Sequence, residues 1–193
     1  MNEHAEGSST RRKLLDAARS EFAENGIAGG RVNRIAERAG VNKERIYGYF
    51  GSKEKLFDAV IMEALTELGQ AHPLTQETDL DEYIGAVFDF HRARPDLLRL
   101  LMWESLHYRK EDLPSEEARG QVYLDKVQSL AQLLGREADA RTAISLFTLI
   151  GIAAWPSTVP QLLTMVTGGT EPSVDEATLR ASIIELGKRA IGA

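Results

Sequence analysis

The sequence predicts an all-α protein in which a small N-terminal three-helix unit precedes a larger helical body. Three observations lead there. Apolar residues recur at spacings of three and four, and no stretch alternates apolar and polar residues long enough to make a sheet strand. Gly26 and Gly40, and Pro95, Pro114, Pro156 and Pro172, punctuate the periodic segments. The charge also changes sign along the chain. Residues 1–60 hold 11 Lys/Arg against 9 Asp/Glu, a surplus of +2, while residues 61–193 hold 12 against 20, a deficit of −8.

The first helix is expected over residues 10–25, with Leu14, Leu15, Ala18 and Phe22 on its buried face and a charged outer face. Gly26 stands where a left-handed cap would end it. A short second helix over 31–39 buries Val32, Ile35, Ala36 and Ala39 and stops at Gly40. Asn42 can cap a third helix by accepting a bond from a free backbone N–H, and Ile46 and Phe50 lie four apart on its inner face. Two helices of about eight residues around a glycine-containing turn form a helix-turn-helix candidate. Ser52 caps a longer fourth helix to about Gly69, whose apolar positions are Leu56, Phe57, Val60, Ile61, Ala64 and Leu68.

Residues 71–78, with His72-Pro73, read as a linker. Further helices are expected at about 79–94, 95–108, 115–134, 138–154, 158–167 and 173–191, punctuated by Pro95, Pro114, Pro156 and Pro172.

Several function classes recede on composition. The chain has no cysteine, so disulfides, thiolate metal sites and cysteine nucleophiles are excluded. Its first ten residues are polar, and the longest apolar run, 143–155, is interrupted by Ser145, Thr148 and Gly151, short of the roughly 18 residues of a membrane span. A soluble cytoplasmic protein with no membrane partner is expected. No Gly-x-Ser-x-Gly elbow, ordered triad or phosphate-binding glycine loop is present, so catalysis and a cofactor find no support. Glu104 and His107 are three apart on one helical face and His91 precedes them; two ligands on one helix are a weak metal signal, and no metal is expected.

Charge points instead to nucleic acid. Between Ile27 and Lys55 stand seven basic residues (Arg31, Arg34, Arg38, Lys43, Arg45, Lys53, Lys55) against Glu37, Glu44 and Glu54. A basic module on an acidic body suits a protein of which one end meets phosphate, although a solvated helix surface carries such a surplus as well.

The run from Ile35 to Leu56 closely resembles the DNA-binding signature of the TetR family of bacterial transcriptional regulators, through Ile35-Ala36, Ala39-Gly40-Val41, Ile46-Tyr47, Tyr49-Phe50 and Ser52-Lys53-Glu54. Ala17-Ala18, Phe22 and Asn25-Gly26 match as well. The resemblance implies a helix-turn-helix DNA-binding domain over residues 1–55, a connecting helix over 52–69, and a helical effector-binding and dimerisation domain over 56–193. It implies that Tyr47 and Tyr49 touch phosphate or sugar and that Lys53, at a helix start, faces a backbone phosphate. Base reading then falls to Lys43 and Glu44, with Asn33 or Arg34 reaching from the second helix; Arg45 and Gly48 share the exposed face. Lys43 suits guanine and Glu44 suits cytosine N4, unless Glu44 only balances neighbouring cations. Where the family usually has Thr or Ser before the second helix this chain has Gly29-Gly30-Arg31, so Arg31 would supply the phosphate contact.

For the body, resemblance implies an unknown small-molecule effector and a homodimer reading palindromic double-stranded DNA. Phe88, His91, Trp103, His107, Tyr123, Phe147 and Trp155 are pocket candidates, each equally readable as a core residue. The stripes containing Leu146, Ile150, Ile183, Leu186 and Ala190 are candidates for the intermolecular four-helix bundle. The fourth helix is the expected transmitter between effector and head. Two rivals remain at this point: a helical small-molecule-binding enzyme with a merely basic surface, and a DNA-binding adaptor without an effector.

Overall fold

The computed structural model describes residues 3–109, 113, 115–168 and 174–192, with the side chains of residues 3–7 and 116 outside the description. Among them are ten α-helices and no strand: α1 (Glu3–Gly29), α2 (Val32–Ala39), α3 (Lys43–Phe50), α4 (Lys53–Ala71), α5 (Leu80–Ala93), α6 (Pro95–His107), α7 (Glu116–Leu133), α8 (Ala140–Thr158), α9 (Pro160–Val166) and α10 (Glu176–Ile191). The chain forms two compact units, Met1–Glu67 with Asp96–Ser115, and Leu68–Pro95 with Glu116–Ala193. Pro114, Pro172 and Ser173, expected at helix boundaries, lie outside the described residues.

In the first unit, the inner faces of α1 to α4 close on one core. Leu14, Leu15, Phe22, Ile35, Ile46, Leu56, Phe57 and Ile61 are buried there, and Leu100 of α6 joins them. The Phe22 and Phe57 rings meet edge to face with centroids 5.2 Å apart, the arrangement favoured by their ring quadrupoles. Helix α1 begins well before residue 10. At Gly26 (φ 66°, ψ 179°) its backbone leaves helical geometry, and a further turn runs to Gly29. The break is therefore a kink rather than the expected terminal cap.

The outer face of α1 is charged as expected, through Arg11, Arg12, Lys13, Asp16 and Glu24, while two further charged residues of the helix lie inward. Arg19 and Glu21 are buried, because each meets opposite charge from elsewhere in the unit. Arg19 donates to Glu67 at 2.7 Å and pairs with Asp96; burial of this charge is sustained by both carboxylates.

In the second unit α5, α8 and α10 pack on one another, with α7 against α8. Ile84, Phe88, Leu130, Leu146, Leu149, Ile183 and Ile191 form the core. Gly187 lets α10 approach closely: a Cβ there would stand 2.9 Å from Leu149 and 3.2 Å from Ile84. Pro156, expected to end a helix, lies inside the last turns of α8. The chain turns instead at Val159 (φ −131°, ψ 62°), where Pro160 opens α9, a position at which a missing N–H costs nothing.

Candidate nucleic-acid interface

The turn between α2 and α3 is fixed by local backbone chemistry. Gly40 adopts the left-handed conformation (φ 68°, ψ 34°), and its N–H returns to Ala36 and Glu37 carbonyls. The Val41 N–H reaches the Ala36 carbonyl at 3.0 Å, which satisfies another helix-end acceptor. Asn42 then caps α3, its side-chain oxygen accepting from the Arg45 N–H at 3.3 Å. Ser52 Oγ accepts from the Lys55 N–H at 3.2 Å and so caps α4. The Glu54 backbone N–H and the Ser52 hydroxyl hold the Glu54 carboxyl below its ordinary pKa, since both bonds favour the charged form.

With Ile46 and Phe50 turned into the core, α3 presents Lys43, Glu44, Arg45, Tyr47 and Gly48 outward, all exposed. Tyr49 is half-buried and packs against the core, its ring tilted over Phe50 with centroids 6.3 Å apart. Asn42, Glu44, Arg45, Gly48 and Tyr49 enclose a shallow depression on this face. Lys53 is half-buried at the start of α4, where its Nζ reaches the Ala28 carbonyl at 3.5 Å. Asn33 and Arg31 are exposed on α2 and at its cap.

Arg34 is not a freely reaching side chain. Its Nε donates to Glu21 Oε1 at 2.9 Å and its Nη2 lies 2.6 Å from the same oxygen. Glu21 also accepts the Arg31 backbone N–H at 2.9 Å, and Arg38 Nη1 stands 3.8 Å from Oε2. The second helix has no side-chain cap of its own; a carboxylate ten residues upstream does that work. Sequence reasoning missed Glu21. Its only local signal was an acidic residue beside Phe22 on a face shared with buried positions.

The pocket candidates do not gather around one cavity within either unit. In the first, Trp103 covers Gly26, and His107 is exposed with its ring 4.7 Å from that of Tyr108. In the second, Phe88 is a core residue and His91 is buried. Desolvation, with a smaller push from His72, lowers the His91 pKa to about 4. Tyr123 is exposed with Lys126 Nζ 5.8 Å from its ring centroid. Phe147 and Trp155 are 78% and 54% exposed on α8.

A cleft of about 500 Å³ does exist in the second unit, lined by Arg92, Pro156, Ser157, Pro160, Leu163 and Leu179 among others, and none of the seven candidates contributes to it. Arg92 donates to Glu176 at 2.8 Å on its edge. The Ser157 hydroxyl is buried there without a hydrogen-bond partner among the described residues.

The residues expected in the dimer stripe divide between the core of the unit and its surface. Leu146 and Ile183 are 3% and 7% exposed because they fill the unit's own core, and Ile150 packs against that core. Leu186 and Ala190 are exposed. The outward apolar face of α8 is Ile144, Phe147 and Trp155, at helical spacings of three and eight.

No group of three or more His, Asp or Glu among the described residues is placed to hold a metal ion, and no single helix is long and apolar enough to cross a membrane.

Residues 14–60 match the model of bacterial regulatory proteins of the tetR family, and residues 79–189 match the tetracyclin repressor-like C-terminal domain. The transcriptional repressor SCO4008 of Streptomyces coelicolor is 37% identical over 185 residues, covering 94% of this chain and 95% of that protein. The repressor NicS of Pseudomonas putida is 35% identical over 104 residues, 51% of this chain and 49% of its own length. Among solved structures, that of the regulator SCO4942 from Streptomyces coelicolor aligns with a TM-score of 0.72 at 35% identity, covering 93% of this chain and 97% of that one. A TetR-like regulator from Rhodococcus sp. RHA1, 17% identical with a TM-score of 0.65 over 95% and 96% of the two chains, shares the fold.

Proposed function

The chain belongs to the TetR family of transcriptional regulators and is a DNA-binding repressor of that type; from that premise we propose that it works as a homodimer on a palindromic operator and leaves it when a small molecule binds the body. In this reading residues 1–55 contact DNA, residues 56–193 carry the effector and dimer contacts, and the helix over 52–69 transmits between them. A cytoplasmic site of action goes with it.

The observation that carries the DNA part is the free outer face of α3. Lys43, Glu44, Arg45 and Tyr47 are exposed on a short helix that is capped at its start and anchored by Ile46 and Phe50. A face held rigidly from behind and left without internal partners suits insertion into the major groove. Tyr47, Tyr49, Lys53 and Arg31 are the backbone contacts of this reading, and Lys43 and Glu44 are base readers with Asn33 beside them. Arg34, held by Glu21, has its Nη1 left for phosphate. The test is binding of a duplex selected by the purified protein from random sequence. Affinity should fall steeply with salt as counterions are released, and Tyr47→Ala and Lys53→Ala should weaken it. A flat salt response would favour a merely basic surface.

The dimer is supported by large apolar side chains that stand at least half exposed among the described residues: Ile144, Phe147 and Trp155 on α8 and Leu186 on α10. Monomeric proteins rarely leave such residues clustered in water. A second copy of the chain is the occupant that the two-fold symmetry of a palindrome calls for.

The effector is supported by the cleft in the second unit, which has the size and apolar walls of small-molecule sites. Titration of the protein–operator complex with candidate metabolites checks it. Release must be reciprocal, so operator should weaken effector binding by the same factor. A complex indifferent to every ligand that binds the free protein would leave an adaptor.

A further inference from the structure

Most glycines in the first unit have a reason within the chain. Gly26, Gly40 and Gly51 have positive φ, and a Cβ on Gly30 would lie 2.6 Å from the Phe22 ring. Gly48 has no such reason. It is the sixth residue of the eight-residue α3, its φ is ordinary, and a Cβ built there meets nothing within 4 Å. Glycine in a helix interior is less stable than alanine, and a helix this short has little stability to spare. Neither backbone nor packing asks for it.

Gly48 lines the shallow depression together with Asn42 and Tyr49 and with Glu44 and Arg45, which stand four and three residues before it on the same helical face. These two differ in a useful way. A carboxylate only accepts hydrogen bonds and a guanidinium only donates them. Both are exposed, and among the described residues neither side chain is engaged by another. The depression therefore presents one acceptor and one forked donor beside a place where the helix has no side chain.

We propose that Gly48 is a specificity-determining residue that seats the edge of one G·C base pair against α3. Arg45 donates to guanine O6 and N7, and Glu44 accepts from the N4 amino group of the paired cytosine. Two adjacent acceptors next to an amino donor is the major-groove pattern of that pair; adenine–thymine interleaves its donor between acceptors and adds a methyl group. The missing Cβ lets the helix backbone come close enough for both side chains to reach one pair. This rests on the reading that α3 enters the major groove.

The test uses full-length protein and the duplex that the wild type selects from random sequence. Gly48→Ala should raise Tm by about 1–4 °C and weaken binding of that duplex by roughly 5- to 150-fold, the discrimination one good base contact supplies. Selections repeated with Glu44→Ala and Arg45→Ala should each lose the preference for G·C at the same single position. An unchanged affinity for Gly48→Ala overturns the proposal, as does a lowered Tm, or loss of preference at different positions by the Glu44 and Arg45 variants. Tyr47→Ala and Lys53→Ala run alongside. If these also leave binding unchanged, the groove reading itself has failed; if they weaken it while Gly48→Ala does not, only the base seat has.

Discussion

The indole of Trp103 lies directly over Gly26, so that a Cβ on Gly26 would stand 2.7 Å from indole Cδ2. One residue after the long straight part of α1, the backbone takes φ 66°, and the ring from α6 fills the space that a side chain would need. Arg99, one turn earlier on α6, donates to the Ala23 carbonyl at 2.9 Å. The turn leading into α2 is thus clamped by α6 through Arg99 and Trp103.

Gly26→Ala should destabilise the protein by about 2–4 kcal/mol, combining left-handed strain with overpacking against the indole. In a Trp103→Ala background the same change should cost less by about 1–3 kcal/mol, because only the overpacking is relieved. Urea unfolding of the four proteins measures this coupling. Additive effects would mean that the ring yields without resistance.

Glu21→Gln keeps the size of the side chain but removes the charge that Arg34 and Arg38 face. A buried ion pair broken from one side costs about 3–5 kcal/mol, and here Arg34 is partly solvated, so the expected loss is nearer 2–3 kcal/mol. Operator affinity should fall as well, since a neutral amide oxygen holds the Arg31 N–H and Arg34 less firmly than the carboxylate and orders the first turn of α2 less well. Circular dichroism melts and duplex titrations on one preparation separate the two effects.

His91 gives the fold a dependence on acid. Its pKa is about 4 in the folded protein against 6.5 for an unburied histidine. Above pH 6.5 both states are neutral there and nothing is lost. As pH falls from 6.5 towards 4 the unfolded chain takes up the proton and the folded one does not, so stability drops by about 1.4 kcal/mol for each pH unit of that window and levels off below it. Comparing urea midpoints of the wild type and His91→Leu at pH 7.5, 6 and 5 isolates this group. Parallel curves would contradict the assignment.

Adjacent positions on α8 should behave oppositely. Leu146→Ala, in the core, should cost about 2–5 kcal/mol of stability whatever the protein concentration. Phe147→Glu, on the outward face, should leave the unit folded and shift sedimentation from dimer towards monomer. A wild type that sediments as a monomer at all concentrations would remove the basis for the dimer.

The contrast between those neighbours shows where the sequence was readable. Gly40, Asn42 and Ser52 were legible because each does its work within a few residues through its own backbone or side-chain oxygen. The inner face of α3 was legible because only Ile46 and Phe50 are apolar at its spacing. Helix α8 was not, since Leu146, Leu149 and Ala153 make one apolar face and Ile144, Phe147 and Trp155 another, and periodicity does not say which of two faces points inward. The burial of Arg19 and Glu21 was not legible for a different reason. Charge alone marks a residue as outward, while their partners Glu67, Asp96 and Arg34 lie 48, 77 and 13 residues away.

The Glu21 cluster also bears on how such a head changes over time. The carboxylate ties the start of α2 and Arg34 into the fold, so a substitution there is tested against stability first. Glu44, Arg45 and Gly48 carry no such obligation. Their replacement leaves the core untouched, so, with the base seat proposed above, new binding sequences could be explored at these three positions without passing through unfolded intermediates.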